Sequence, residues 1–243
     1  MNANTIKINI YTICYNEEIV LPHMIKWYKD RFPNCHITVY DNYSSDKTEQ
    51  IALDADCTVI KYDSNNEIRD DLYLEIKNNC WKNSDTDWNL ICDADEWIQI
   101  TAEDLMKEEQ LGSTIISFEG WNMITMSDDP DIIDFDLHWA SRSPQYDKYY
   151  LFNKKHIKEI YYSAGCHGAN PKGLVKLSEK IYPMYHFKAL GLNYMINRYK
   201  EFSTRMSQTN LQQGWAVHYL DSADTIRRNW KFYQTHPDNK KVL

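Results

Sequence analysis

Two carboxylates one residue apart, Asp93 and Asp95, follow the apolar run Trp88-Asn89-Leu90-Ile91-Cys92 and are continued by Glu96-Trp97. A short buried strand ending in Asp-Ala-Asp carries both side chains to the carboxyl edge of a sheet, where open α/β sheets bind ligands. Such a pair suits a hard divalent cation. Mg²⁺ or Mn²⁺ takes oxygen ligands, retains water and bridges a carboxylate or two to a substrate diphosphate. Asp-x-Asp alone is a weak signal in an acidic chain, so its meaning depends on the elements around it.

Those elements alternate. Ile6 to Cys14 is rich in β-branched residues and reads as a first strand, closed by Tyr15-Asn16-Glu17-Glu18 and followed by apolar residues at helical spacing from Ile19 to Phe32. His36 to Tyr40 reads as a second strand, Asp41 to Asp46 as a polar turn, Lys47 to Asp54 as a short helix and Cys57 to Tyr62 as a third strand. Asp70 to Lys82 spaces Leu72, Ile76 and Cys80 as one buried helical stripe, and the fourth strand then ends in the Asp93/Asp95 pair. Strands alternating with helices predict an α/β fold, a mostly parallel sheet covered on both faces.

Beyond that point Thr101 and Asp104 predict a capped helix, and Thr114 to Glu119 a fifth strand. From Gly120 to Gln145 the pattern fails, and the stretch reads as an acidic, solvated loop of the kind that also serves as a binding loop. Tyr149 to Phe152 and Ile157 to Tyr162 predict a small antiparallel region, Ile181 to Phe187 another extended run, Leu192 to Met206 a long amphipathic helix and Asp224 to Gln234 a last one. The expected organisation is one domain over 1–243, with a ligand-binding half to residue 120, a second half over 121–190 and a C-terminal helical extension over 191–243.

The 243 residues carry a net charge of -8. That argues against a nucleic-acid partner, which usually demands a basic patch or stripe. The six cysteines include no Cys-x-x-Cys spacing, and several sit in apolar runs, so free thiols in a reducing compartment are expected. Met1-Asn2-Ala3-Asn4 shows no basic flank or signal core, and no apolar run approaches the roughly 20 residues of a membrane span. A cytoplasmic location is expected.

Asn16-Glu17-Glu18, Asp41-Asn42-Tyr43-Ser44-Ser45-Asp46 and Asp93-Ala94-Asp95-Glu96, in this order with a βα unit between each, resemble the signatures of the GT-A glycosyltransferases, in particular their family 2-like branch. The resemblance spans roughly residues 6–190. It implies a GT-A, Rossmann-like sheet with a small antiparallel region, a nucleotide-diphosphate sugar donor lying across its edge, and Mn²⁺ or Mg²⁺ as cofactor. Thr12, Tyr15 and Glu17 are then expected at the nucleotide, with Asp41 facing base or ribose. Arg69, Asp70 and Lys77 match the helix that faces the nucleotide. Asp95 is implied as the direct metal ligand, Asp93 as a metal or ribose contact, and His186 as a ligand to metal or diphosphate.

Glu96 is expected to orient the turn, and Trp97 to pack. His167, between Cys166 and Gly168, sits in a Gly-flanked turn that permits close approach to a ligand, or is simply a tight turn. Lys188, two residues after His186, is a candidate diphosphate contact.

The reaction implied is metal-dependent transfer of a sugar, from a UDP-sugar in first place, to a glycan or other hydroxyl acceptor, with inversion expected. An acceptor presented at a membrane surface is compatible with the absence of a spanning segment. Inverting relatives carry a base beyond the fifth strand, where Glu119, Asp128 and Asp129 stand, and Asp128 is the expected base. The alternatives are a sugar nucleotidyltransferase, disfavoured by the acidic, glycine-free Tyr15 to Glu18 turn, and a non-catalytic glycan- or partner-binding domain on a degenerate transferase fold.

Overall fold

The computed structural model describes residues 6–242, so the Met1 to Asn4 start lies outside the described residues. The first half is built from β1 (Ile8–Cys14), α1 (Leu21–Arg31), β2 (Cys35–Asp41), α2 (Thr48–Asp54), β3 (Thr58–Lys61), α3 (Asp70–Asn79) and β4 (Trp88–Ile91). β1 pairs in parallel with both β2 and β4, and β2 with β3, which gives the central order β4-β1-β2-β3. α1 forms where Leu21, Met24, Ile25 and Tyr28 recur at helical spacing and are buried, with Pro22 in the first turn and Phe32 closing the end.

The second half begins with β5 (Glu96–Ile98), α4 (Ala102–Gln110), β6 (Ile115–Ile124) and β7 (Trp139–Arg142). The expected cap of α4 is present: Asp104 N–H donates to Thr101 Oγ1 at 3.2 Å and Thr101 N–H to Asp104 Oδ2 at 3.3 Å. The irregular stretch expected over 120–145 is corrected at both ends. β6 runs on to Ile124 and pairs with β7, because Trp121, Met123 and Ile124 are core residues and Gly120 serves close packing rather than a break. A Cβ at Gly120 would lie 2.3 Å from Tyr146 Cβ. Between the two strands the acidic stretch is indeed solvent-facing, with Asp129 and Asp134 accepting from backbone N–H groups two residues on.

β8 (Leu151–Asn153), β9 (Ile157–Glu159), β10 (Lys172–Gly173), β11 (Leu177–Ala189), α5 (Leu192–Ser203), α6 (Gln208–Gln213), α7 (Ala223–Thr235) and β12 (Lys240–Lys241) complete the chain. The small antiparallel region is β9 with β10. β8 instead joins the main sheet between β4 and β6, since Leu151 and Phe152 are both fully buried. β11 pairs in parallel with β6 and antiparallel with β5, so residue 186 stands opposite Glu96 on one side and Asn122 on the other. All six cysteines are free thiols. Among the described residues no helix is long and apolar enough to cross a membrane.

Candidate active site

A cleft of about 410 Å³ opens at the carboxyl ends of β1 and β4, within the size range of small-molecule sites. Its lining brings together Tyr15, Glu17, Asp70, Lys77, Asp93, Asp95, His167, His186 and Lys188 of the expected residues. Thr12, Asp41, Arg69 and Asp128 lie outside the lining. The geometry explains each exception. Thr12 is buried within β1, and Asp41 is spent on an ion pair with Lys61 and on the backbone N–H of Ser44. Arg69 is paired at 2.6 Å with Asp71, and Asp128 is exposed on the acidic loop.

The turn after β4 is held from inside. Glu96, 2% exposed, accepts the Asp93 N–H through Oε2 at 3.3 Å and pairs through Oε1 with Lys148 Nζ at 2.5 Å. Trp97 packs against Trp27 and Phe187 in the core. Asp93 Oδ1 meets Lys77 Nζ at 2.5 Å. Lys77 is the buried residue of α3, whereas Leu72, Ile76 and Cys80 are half-buried, so the expected apolar stripe gives way to a cation turned inward toward Asp93. Burial works against both charges, but each holds the other: Lys77 stays well above the ordinary lysine range and Asp93 below the ordinary carboxylate range.

Asp95 faces β11. Its Oδ2 lies 3.3 Å from His186 Nε2, while His186 Nδ1 lies 2.8 Å from Asn122 Oδ1. Burial alone would raise the Asp95 carboxyl; the His186 ring, with Lys188 and Arg198 beyond it, holds it well below the carboxylate range. The two ring nitrogens thus face Asn122 Oδ1 and Asp95 Oδ2: a ring with a hydrogen on Nε2 donates to Asp95, whereas a ring with its hydrogen on Nδ1 alone turns the Nε2 lone pair toward the carboxylate. The second arrangement calls for a cation between the two atoms. Among the described residues no third His, Cys, Asp or Glu closes a metal cage with them.

The remaining wall comes from the C-terminal third, which is therefore part of the cleft and more than an extension. α5 buries Met195 and Tyr199 while Arg198 turns inward, pairing with Glu17 and donating to the carbonyls of Tyr15 at 3.1 Å and Asn16 at 2.8 Å. Burial, reinforced by Asp95 and Asp93 and opposed by Arg198, pushes Glu17 up to about 8. Lys188 is lowered by burial to about 8 and donates to His218 Nε2 at 3.0 Å. Arg205 stacks its guanidinium 3.1 Å over the Tyr15 ring, at the end of the cleft lined by Tyr62 and Tyr73.

The sequence pattern does not point to Lys148, Arg198, Arg205 or His218. Only Arg198 leaves a trace there, a cation placed among the apolar residues of α5. Five lysines and arginines (Lys77, Lys148, Lys188, Arg198, Arg205) face five carboxylates (Glu17, Asp70, Asp93, Asp95, Glu96) in the cleft of a chain whose net charge is -8. The cleft is thus far less acidic than the chain as a whole, as anion binding requires.

Comparison with known proteins places the fold. The chain matches no protein-family model. A crystal structure of S. aureus TarS, residues 1-349, superposes with a TM-score of 0.50 at 14% identity, over 93% of this chain and 74% of that one. A TarS structure in complex with UDP-GlcNAc superposes with a TM-score of 0.46 at 14% identity, over 95% of this chain and 74% of that one. Among curated proteins, Protein RfbJ of Shigella flexneri is 44% identical over 46 residues, 19% of this chain; the match spans about a third (36%) of RfbJ's length. The architecture is that of the GT-A glycosyltransferases, a central, mostly parallel sheet flanked by helices.

Proposed function

We propose that the protein is a metal-dependent glycosyltransferase that moves a sugar from a nucleoside diphosphate sugar, a uridine nucleotide in first place, to an acceptor hydroxyl in glycan or polysaccharide synthesis, with inversion. The observation that carries this reading is the Asp95–His186 pair, with Oδ2 and Nε2 3.3 Å apart, at the carboxyl edge of a GT-A sheet. Mn²⁺ or Mg²⁺ fits there. Carboxylate and imidazole are both Mn²⁺ ligands, the Asn122 contact presents the correct ring nitrogen, and diphosphate oxygens and water would complete a site to which the protein gives few ligands. When bound, such an ion supplies Lewis-acid stabilisation of the departing diphosphate.

The chain's own residues support the rest. Lys188, which donates to the neutral His218 and forms no direct ion pair among the described residues, offers its ammonium to a phosphate. Arg198 fixes the Tyr15–Asn16 turn in which Asn16 adopts a left-handed φ of 52°, and so shapes the nucleotide end. Tyr15, Tyr62 and Tyr73 give that end aromatic faces for a base. In the transfer, the acceptor oxygen bonds to the anomeric carbon as the bond from that carbon to the diphosphate oxygen breaks. The electron pair leaves with the nucleoside diphosphate, and the acceptor's proton passes to a base.

The test is release of nucleoside diphosphate from a panel of sugar nucleotides with Mn²⁺, repeated with chelator. Metal-dependent release from one donor class supports transfer. Consumption of a nucleoside triphosphate and a sugar phosphate with release of pyrophosphate would instead support a nucleotidyltransferase, and no turnover or nucleotide binding a non-catalytic domain.

A further inference from the structure

Transfer with inversion needs a base that is both inside the cleft and free to take a proton. The carboxylates in the lining are already engaged. Glu17 is paired with Arg198, Asp93 with Lys77, Asp95 with His186 and Glu96 with Lys148, while Asp70 accepts from the Asn210 amide. Asp128 is exposed on a loop outside the lining. Three histidines remain: His186 faces Asp95, and the Nε2 of His218 is occupied by Lys188.

His167 differs from both. Its Nδ1 lies 2.8 Å from the carbonyl oxygen of Gln145, a group that can only accept, so Nδ1 carries the proton and Nε2 the lone pair. Among the described residues Nε2 has no hydrogen-bond partner, and the side chain lines the cleft at its solvent-exposed rim. Gly165 keeps that edge of the ring clear: a Cβ there would lie 2.7 Å from Nε2 and from Cδ2, and its φ of +65° also favours glycine. Tyr146 stands between His167 and His186, its ring centroid 5.6 Å from the first and 4.1 Å from the second. Both imidazoles thus contact the same aromatic ring, which puts His167 on the wall of the cleft that continues from the candidate metal end.

We infer that His167 is the general base of the proposed transfer, its Nε2 taking the proton of the acceptor hydroxyl as that oxygen attacks the anomeric carbon. The inference rests on the glycosyltransferase reading above. The proton moves from acceptor oxygen to Nε2, the glycosidic oxygen–carbon bond forms, the carbon–diphosphate bond breaks, and the imidazolium then gives its proton to solvent. Gln145 orients the ring throughout. Burial, then the nearby Lys148, lowers the ring below the ordinary histidine value against the opposing pull of the Gln145 carbonyl, Glu96 and Asp93, so the base is neutral at neutral pH. Lys148 also favours prompt loss of the proton once transferred.

The experiment uses water as acceptor, with UDP-glucose, UDP-galactose and UDP-GlcNAc as probes and Mn²⁺ present. For His167→Ala the expected result is a fall in UDP release on the order of 100-fold or more, restored in part by added imidazole, with calorimetric UDP affinity unchanged. His167→Gln, which keeps a polar side chain of similar reach, should lose activity equally and should lack the acid limb that the wild type shows below neutral pH. Rates within threefold of wild type, an unaltered acid limb, or absence of imidazole rescue with binding intact would overturn the assignment while leaving the transferase reading in place. Absence of release by the wild type itself, from every donor, would remove the transferase reading and the base together.

Discussion

His186 Nε2 lies 3.3 Å from Asp95 Oδ2, and the opposite ring nitrogen lies 2.8 Å from Asn122 Oδ1. The ring belongs to β11, the carboxylate to the turn between β4 and β5, and the amide to β6, so two strands and a turn fix this pair. Removing the orienting amide should loosen the ring without deleting a ligand. Asn122→Ala is expected to weaken Mn²⁺ binding in the presence of nucleotide by about 10- to 100-fold, the usual effect of losing such a partner. Unchanged Mn²⁺ affinity by titration calorimetry would show that the ring is oriented otherwise.

The Glu96–Lys148 pair has both side chains 3% exposed. Lys148→Met leaves the Glu96 carboxylate buried without its cation and is expected to cost about 3–5 kcal/mol in denaturant unfolding. The double variant Lys148→Met/Glu96→Gln removes the charge as well and should recover a good part of that loss. Equal stability of wild type and single variant would contradict the pairing.

Gly120 touches the site through Tyr146. Gly120→Ala would set a methyl 2.3 Å from Tyr146 Cβ and 2.8 Å from the Ser143 carbonyl oxygen, and Tyr146 stacks on His186 at 4.1 Å. The expected outcome is a stability loss of about 1–3 kcal/mol together with weaker metal-dependent nucleotide binding. A loss of stability alone, with binding kept, would separate Tyr146 from the site.

Burial pushes the Cys57 and Cys166 thiols up to about 11 and Cys80 up to about 12. The thiolate is the reactive form, so these cysteines should label with iodoacetamide far more slowly at pH 8 than a free thiol does. The rate should climb about tenfold per pH unit toward those values, and denaturant at pH 8 should restore fast labelling. Rapid labelling of the folded protein at pH 8 would show that the thiols are not held as described.

The frame of the site was legible because period and punctuation are local. β1, β2 and β4 announce themselves by apolar runs ended by Asn16-Glu17-Glu18, Asp41-Asn42 and Asp93-Ala94-Asp95, and the Thr101/Asp104 cap by its spacing. β5, three residues long, and β7, four, carry too few residues to show a period and are strands only because β11 and β6 lie beside them. Lys148 was harder still, and Lys77 stood out only through the resemblance of its helix, not through its pairing with Asp93. A buried lysine looks like any surface lysine until the fold brings Asp93 or Glu96 to its end, and a tertiary ion pair leaves no pattern in one chain. Asp41 shows the reverse: its motif is intact, yet β3 supplies Lys61 in register beside it and occupies the carboxylate.

The most direct measurement is calorimetric titration of UDP into the protein with Mn²⁺, then with chelator, on wild type and Asp95→Ala. Binding is expected to need the ion and to be lost in the variant, since Asp95 and His186 would leave the remaining ligand positions to the diphosphate. UDP binding that is the same with chelator as with Mn²⁺, and unaffected by Asp95→Ala, would contradict it.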